Sequence, residues 1–315
     1  MVSGAGRMGV EWGYSMNNWK STMRPIVLTL ILTAGRSLAG TPEITQTTVP
    51  PPMELTLSNF FSAGWDQPYS FRSSLPDGAP DLPLFTLVTN FLVRVSRTDY
   101  FYEKELGKSP TKDVQFLDEY VDYAFNQRFM LSVFGNYTGL DQRDSRYEAG
   151  GAGGGQLRFQ LVDTQTDSDA LNFRVDSPDQ GLGNHLTKFS SSITGWRDLS
   201  QLGAGRLGVY YDVIDEAYAG SSPGGATRND LAYGTAIAKT WTKPTDPVAN
   251  LSTVVEFSAA TSLDGAERNR TQVTATPGIQ FVLGGRNVLM LGVDFPLTHP
   301  SDTRNVFRLT YIYCY

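Results

Sequence analysis

The sequence predicts an all-β protein: a single antiparallel, up-and-down transmembrane β-barrel of about 12 strands, preceded by an N-terminal extension. Three observations carry this. An export-type segment lies near the N-terminus, apolar and polar residues alternate with period two over long stretches, and the connections between those stretches exchange short for long. Composition agrees: the 315 residues include 31 Gly, 15 Tyr and 17 Phe, and charged residues are 18%, against roughly 25% in an average soluble domain. No apolar run approaches the roughly 20 residues of a membrane-spanning helix, which excludes a polytopic helical membrane protein.

The export segment comes first. Lys20 and Arg24 precede the apolar run Ile26-Val27-Leu28-Thr29-Leu30-Ile31-Leu32-Thr33-Ala34, and the small residues Ser37 and Ala39 follow. Basic, apolar and small-residue regions in that order make a secretory signal, and the apolar core is too short to cross a bilayer of about 30 Å as a helix. Residues 1–39 are therefore read as a signal peptide removed on export, in a Gram-negative-type bacterium. Residues 40–83 are punctuated by Pro50-Pro51-Pro52, Pro68, Pro76, Pro80 and Pro83 and carry the apolar residues Leu55, Leu57, Phe60, Phe61 and Trp65. This stretch is expected to be a periplasmic extension or a plug folded back into the barrel, with an extra strand or surface hairpin as the alternative.

The barrel is assigned to residues 84–315. Strands are expected at 84–103, 113–125, 127–139, 147–163, 169–177, 186–199, 204–218, 230–242, 249–263, 271–284, 287–298 and 305–315. Alternation is clear in Leu289-Leu291-Val293-Phe295-Leu297 and in Phe307-Leu309-Tyr311-Tyr313-Tyr315, whose intervening residues include Asp294 and Arg308. It is poor where Asp118, Glu119 and Asp122 fall on both faces, and weak at Ser190-Ser191-Ser192, where bulges or an adapted seam are expected. A soluble sandwich would also alternate. Export, strand lengths well above the usual five or six residues, and aromatic residues at strand ends (Tyr137, Trp196, Tyr233, Trp241) favour the barrel.

With odd positions facing lipid, the other face lines a lumen containing Arg94, Arg128, Arg158, Arg174, Arg206, Arg308, Asp212, Glu256 and Asp294. These charges are expected either to pair across the wall or to form a constriction that selects solutes. Twelve strands lie between small barrels filled by side chains and wide porins, so the lumen is narrow or plugged. The formal charge of −6 argues against a nucleic-acid partner. One cysteine, Cys314, and two histidines, His185 and His299, call for no metal, cofactor or catalytic residue, and the protein is not expected to be an enzyme. The glycine run Gly150 to Gly155 lacks the residues of a phosphate loop and is expected to permit curvature or the close approach of an interior group. Expected partners are outer-membrane lipid, a small-molecule solute, and the barrel-insertion machinery, which would read Tyr311, Tyr313 and Tyr315.

The stretch Thr276-Pro277-Gly278-Ile279-Gln280-Phe281, followed by Arg286-Asn287-Val288-Leu289-Met290-Leu291-Gly292-Val293-Asp294-Phe295-Pro296-Leu297-Thr298, resembles a family of outer-membrane channels named for the meta-pathway of phenol degradation. The match covers about the last 40 residues. The resemblance implies an outer-membrane β-barrel that passes small molecules, often aromatic ones, and carries no catalytic residues. A non-conducting structural or surface-interaction barrel is the alternative.

Overall fold

The structure, a computed structural model, describes residues 53–70, 77–103, 112–142, 147–177, 185–221, 229–246, 248–265, 268–283, 285–298 and 305–315. The proposed signal peptide, residues 1–39, and His299 lie outside them. Twelve strands follow one another among the described residues: β1 (Arg94–Glu103), β2 (Lys112–Ala124), β3 (Phe129–Gln142), β4 (Tyr147–Asp163), β5 (Asp167–Asp176) and β6 (His185–Asp198), then β7 (Leu207–Ser221), β8 (Asn229–Thr240), β9 (Ala249–Ser262), β10 (Thr271–Leu283), β11 (Asn287–Pro296) and β12 (Val306–Cys314). Each pairs antiparallel with its neighbours in sequence, and β1 pairs with β12 to close the barrel. Closure leaves no strand edge unpaired, the condition for a sheet to exist in lipid.

The alternation decides which surface meets lipid. Val133, Leu157, Phe173, Ile193, Val213, Ile237, Phe257 and Leu291 are exposed, whereas Ser132, Arg158, Asn172, Thr194, Asp212, Glu256, Thr276 and Gln280 are buried. An oily exterior around a polar interior is the reverse of a soluble sandwich and is the arrangement of outer-membrane barrels. The fold is a 12-stranded transmembrane β-barrel of that kind. Aromatic side chains mark both rims of the belt: Phe129 and Tyr137 lie eight positions apart on β3, as do Tyr233 and Trp241 on and just after β8. Eight residues of strand, about 27 Å along the chain, rise about 20 Å at the usual barrel tilt and so span most of an apolar band about 25 Å tall.

Two expectations about the wall are corrected. Trp196 is not a girdle residue. It occupies an even position of β6, faces inward and is buried. The first strand does not start at Leu84 but ten residues later, at Arg94, and residues 84–93 lie inside the barrel. The irregular alternation before Asn126 has a different origin from a bulge, because β2 pairs without interruption with both neighbours. Odd residues of β1 pair with even residues of β2, as Val95 does with Asp122, so the inward parity changes at this one hairpin. Asp118 and Asp122 then face in, while Glu119 faces out and accepts a hydrogen bond from Thr98 at 2.8 Å. The serine run is likewise continuous, and Ser192 accepts a bond from the Asn172 amide inside at 3.1 Å. The register shifts fall elsewhere, between Gln160 and Val162 and between Gln280 and Val282, at the short-turn ends of β4 and β10.

Ile237 lies on the outer face midway between Tyr233 and Trp241, flanked by Val209 and Val255. Ile237→Arg places a guanidinium in acyl chains and is expected to destabilise the folded barrel by about 2–4 kcal/mol, measured by reversible urea unfolding in lipid vesicles.

Candidate functional site

The segment preceding β1 enters the barrel. Residues 77–93, here termed the strap, run through the lumen without strand or helix, so their peptide groups have no ladder to join and must find partners on the wall. Inward-facing side chains supply them. Glu256 of β9 accepts the backbone N–H of Phe85 (2.6 Å), Thr86 (2.7 Å) and Leu87 (3.2 Å) and the Thr86 hydroxyl (2.6 Å). Asp212 of β7 accepts the N–H of Val88 at 3.0 Å. The strap carbonyls are met by guanidinium groups: Arg206 donates to Gly78 (2.9 Å), Arg97 to Leu84 (3.0 Å), Arg158 to Phe91 (2.8 Å) and Arg308 to Phe85 (3.4 Å). Tyr210 serves both senses, donating to the Pro80 carbonyl and accepting from the Leu82 N–H.

Apolar side chains of the strap fit against opposite sectors of the wall. Ala79, Leu82, Leu84 and Leu87 pack with Trp196, Tyr210, Ala236, Ala238 and Val254. Phe85, Leu92 and Val93 pack with Val95, Met130, Val288, Met290 and Ile312. Gly278 of β10 and Gly292 of β11, which pair with each other, leave the notch that receives Phe85. A Cβ at Gly278 would overlap the Phe85 ring, and one at Gly292 would lie 3.1 Å from it. Both glycines stand in the stretch that resembles the channel family. The strap begins and ends near the short turns, Gly78 at Arg206 and Val93 at the start of β1, so it enters and leaves by the same mouth. Burial pushes the Asp81 carboxyl well above the usual carboxylate range, against the opposing pull of the Asn90 amide that donates to it at 2.9 Å.

The residues read as lumen-lining divide into three groups. Arg158, Arg206, Asp212, Glu256 and Arg308 hold the strap, and Asp294 orients Arg308 through a two-toothed ion pair at 2.6 Å. Arg128 is fully buried at a turn and bonds the segment before the strap, through the carbonyls of Ala63 (2.9 Å) and Thr56 (3.3 Å) and the Asn59 side chain (2.6 Å). Arg174 lies on the long-loop half of the lumen, paired with Asp176 at 2.6 Å and seated 4.0 Å from the Phe134 ring centroid. Phe134 in turn lies over Gly154, where a Cβ would overlap it, so the glycine run does admit an interior group. Lys188 and Glu216 (3.1 Å) extend this charged band.

Arg94 is the exception. It stands opposite Tyr123, on the outward register of β1, with its guanidinium 4.6 Å from the Tyr123 centroid and 5.1 Å from that of Tyr69. The parity change between β1 and β2 puts Arg97, three residues on, into the lumen instead. Arg97, Tyr210 and the glycine pair escaped sequence reading. Only the apolar residues of the proline-rich segment hinted that something there needed a cavity.

A cavity of about 530 Å3 opens beside the strap at the short-turn mouth, lined on one side by Val93, Val95, Val282, Val288 and Ile312 and including Gln280. The Gln280 amide is fully buried, and neither its nitrogen nor its oxygen has a protein partner. Among the described residues no group of metal-ligating side chains occurs.

No protein-family model and no curated protein matches the sequence. Solved barrels resemble it in architecture. A KdgM porin in complex with disordered oligogalacturonate is 11% identical, with a TM-score of 0.45, over 70% of this chain and 99% of that one. An outer membrane channel from Pseudomonas putida F1 is 11% identical, with a TM-score of 0.48, over 71% and 96%. The transport unit of the autotransporter AIDA-I from Escherichia coli is 13% identical, with a TM-score of 0.47, over 74% and 93%.

Glu256→Gln removes the charge that collects three strap amides, each charge-assisted bond contributing about 1.5–3 kcal/mol. Amide exchange at Phe85, Thr86 and Leu87 is expected to accelerate by at least tenfold, while that of β9 amides stays unchanged, as read by mass spectrometry of the protein in vesicles.

Proposed function

We propose that the protein is an outer-membrane channel for small molecules whose passage is narrowed by its own strap. The observation that carries this reading is the division of labour inside the lumen. The wall charges Arg97, Arg158, Arg206, Asp212, Glu256 and Arg308 are committed to a loop of the same chain, and a cavity runs beside that loop rather than being packed shut. A purely structural barrel of this width would be stabilised most simply by ion pairs between its own strands, as Arg174 and Asp176 do on β5.

The cavity also suggests a solute class. Its apolar lining suits a small molecule with an apolar, often aromatic, body. Anionic solutes would meet no free counter-charge there, because the guanidinium groups on its lining already bond carbonyls, Arg94 that of Ala124, Arg97 that of Leu84 and Arg206 that of Gly78. The family resemblance near the C-terminus points the same way. Insertion by the barrel-assembly machinery through the C-terminal tyrosines belongs to this reading as well.

Conductance in planar bilayers tests the channel. The wild type is expected to show small, infrequent openings, and the double variant Asp212→Asn with Glu256→Gln larger and longer ones. Gly278→Val, which fills the Phe85 notch from the wall side, should act in the same direction without altering a charge. Silence from all three correctly folded barrels, verified by heat-modifiable gel migration, would favour the non-conducting structural barrel. In swelling assays on loaded vesicles, phenylalanine is expected to enter faster than glutamate.

A further inference from the structure

We propose that the segment from Met53 to Trp65 is a monolayer anchor, inserting its apolar side chains into the interfacial zone of the leaflet on the short-turn side. The segment is held firmly and yet shows its apolar residues outward. Leu55 and Asp163 exchange backbone hydrogen bonds at 3.0 and 2.8 Å, adding a bridge to β4 beyond the last position that β3 covers. Arg128 bonds Thr56, Asn59 and Ala63 from beneath, and Gly64, at a φ of 85° that side chains rarely adopt, lets the chain turn tightly over Arg128. Leu55 and Ala63 are buried on that under-side.

The opposite side is oily. Phe61 is 93% exposed, Leu57 66%, Met53 45% and Trp65 37%, in a segment whose backbone is fixed. Such exposure on a clamped segment is costly in water, and a Phe ring alone represents about 1.5–3 kcal/mol of transfer free energy. The patch is not isolated. The Trp65 ring lies 6.3 Å from Phe159 on the outer face of β4, and from there an aromatic row runs around the rim through Phe129 and Phe125 to Tyr123 at centroid spacings of 5.1–5.5 Å. That row belongs to the lipid-facing belt, so the segment continues a surface that already meets the bilayer. The Trp65 indole N–H donates to the Phe60 carbonyl at 2.5 Å, so the ring can enter lipid without stranding a donor. The charged residues at its ends, Glu54 and Asp66, are acidic and exposed, which makes the attachment apolar rather than electrostatic.

The inference needs only the transmembrane barrel and stands apart from the channel reading. Its test is power-saturation EPR on the full chain in phosphatidylethanolamine and phosphatidylglycerol vesicles, with a nitroxide at Phe61→Cys in a Cys314→Ser background and the lipid-facing Val213→Cys as reference. The Phe61 label is expected to be relaxed more by oxygen than by a water-soluble nickel chelate, at low and at high salt alike. A label relaxed mainly by nickel overturns the proposal, as does spin–spin broadening that disappears on dilution with unlabelled protein, which would assign the patch to a second copy. A Leu57→Ser and Phe61→Ser double variant that still folds should expose Trp65, abolishing its quenching by brominated lipid while Trp241 remains quenched. Retained quenching of Trp65 in that variant would also count against the anchor.

Discussion

A peptide chain without a ladder cannot lie in a closed lumen unless each of its N–H and C=O groups is answered by something else. That constraint organises the interior of this barrel. The carboxylates of Glu256 and Asp212 answer the strap's amides, and the guanidinium groups of Arg97, Arg158, Arg206 and Arg308 answer its carbonyls. Each ion is buried at a cost that only such bonds offset, and each strap peptide would be stranded without its ion. Wall and strap are therefore mutually dependent, more so than their lack of covalent closure suggests.

The same dependence explains what could be read from the sequence. Strand number, strand order and lipid-facing residues were legible because a barrel wall imposes one rule, period two, from β2 to β12, interrupted only at the register shifts near the ends of β4 and β10. The rule failed at β1 because parity across a hairpin depends on loop length, which alternation does not encode. Arg94 was consequently placed inside and Arg97 missed. Trp196 misled for another reason: an indole near a strand end is as useful against a strap as against a headgroup, and composition does not distinguish the two. The start of the first strand was set too early because Leu84, Phe85 and Leu87 are apolar enough to pass for a wall, although they pack within one.

Of the charges expected to pair across the wall, Arg308 and Asp294 do so, whereas Arg128, Arg158, Arg206, Asp212 and Glu256 bond backbone groups instead. Sequence reading can pair an arginine with a carboxylate, since both are visible as charges. It cannot pair an arginine with a backbone carbonyl, because every residue has one. Arg128 shows this clearly, with its guanidinium spent on carbonyls and one amide side chain and on no acid that its hydrogen bonds record. The paired glycines of β10 and β11 were likewise visible as residues of a family-like motif, but their use as a seat for Phe85 depends on a ring nearly 200 positions upstream.

The strap is a bight, not a thread: both its limbs come out through one mouth. A rope passed through a ring can be drawn from either side, but a bight comes out only the way it went in, and it can do so without the ring parting. Any withdrawal of the strap must thus be worked from the short-turn side, by a pull that peels contacts one after another, and the twelve hydrogen-bonded seams need not yield for the bore to widen.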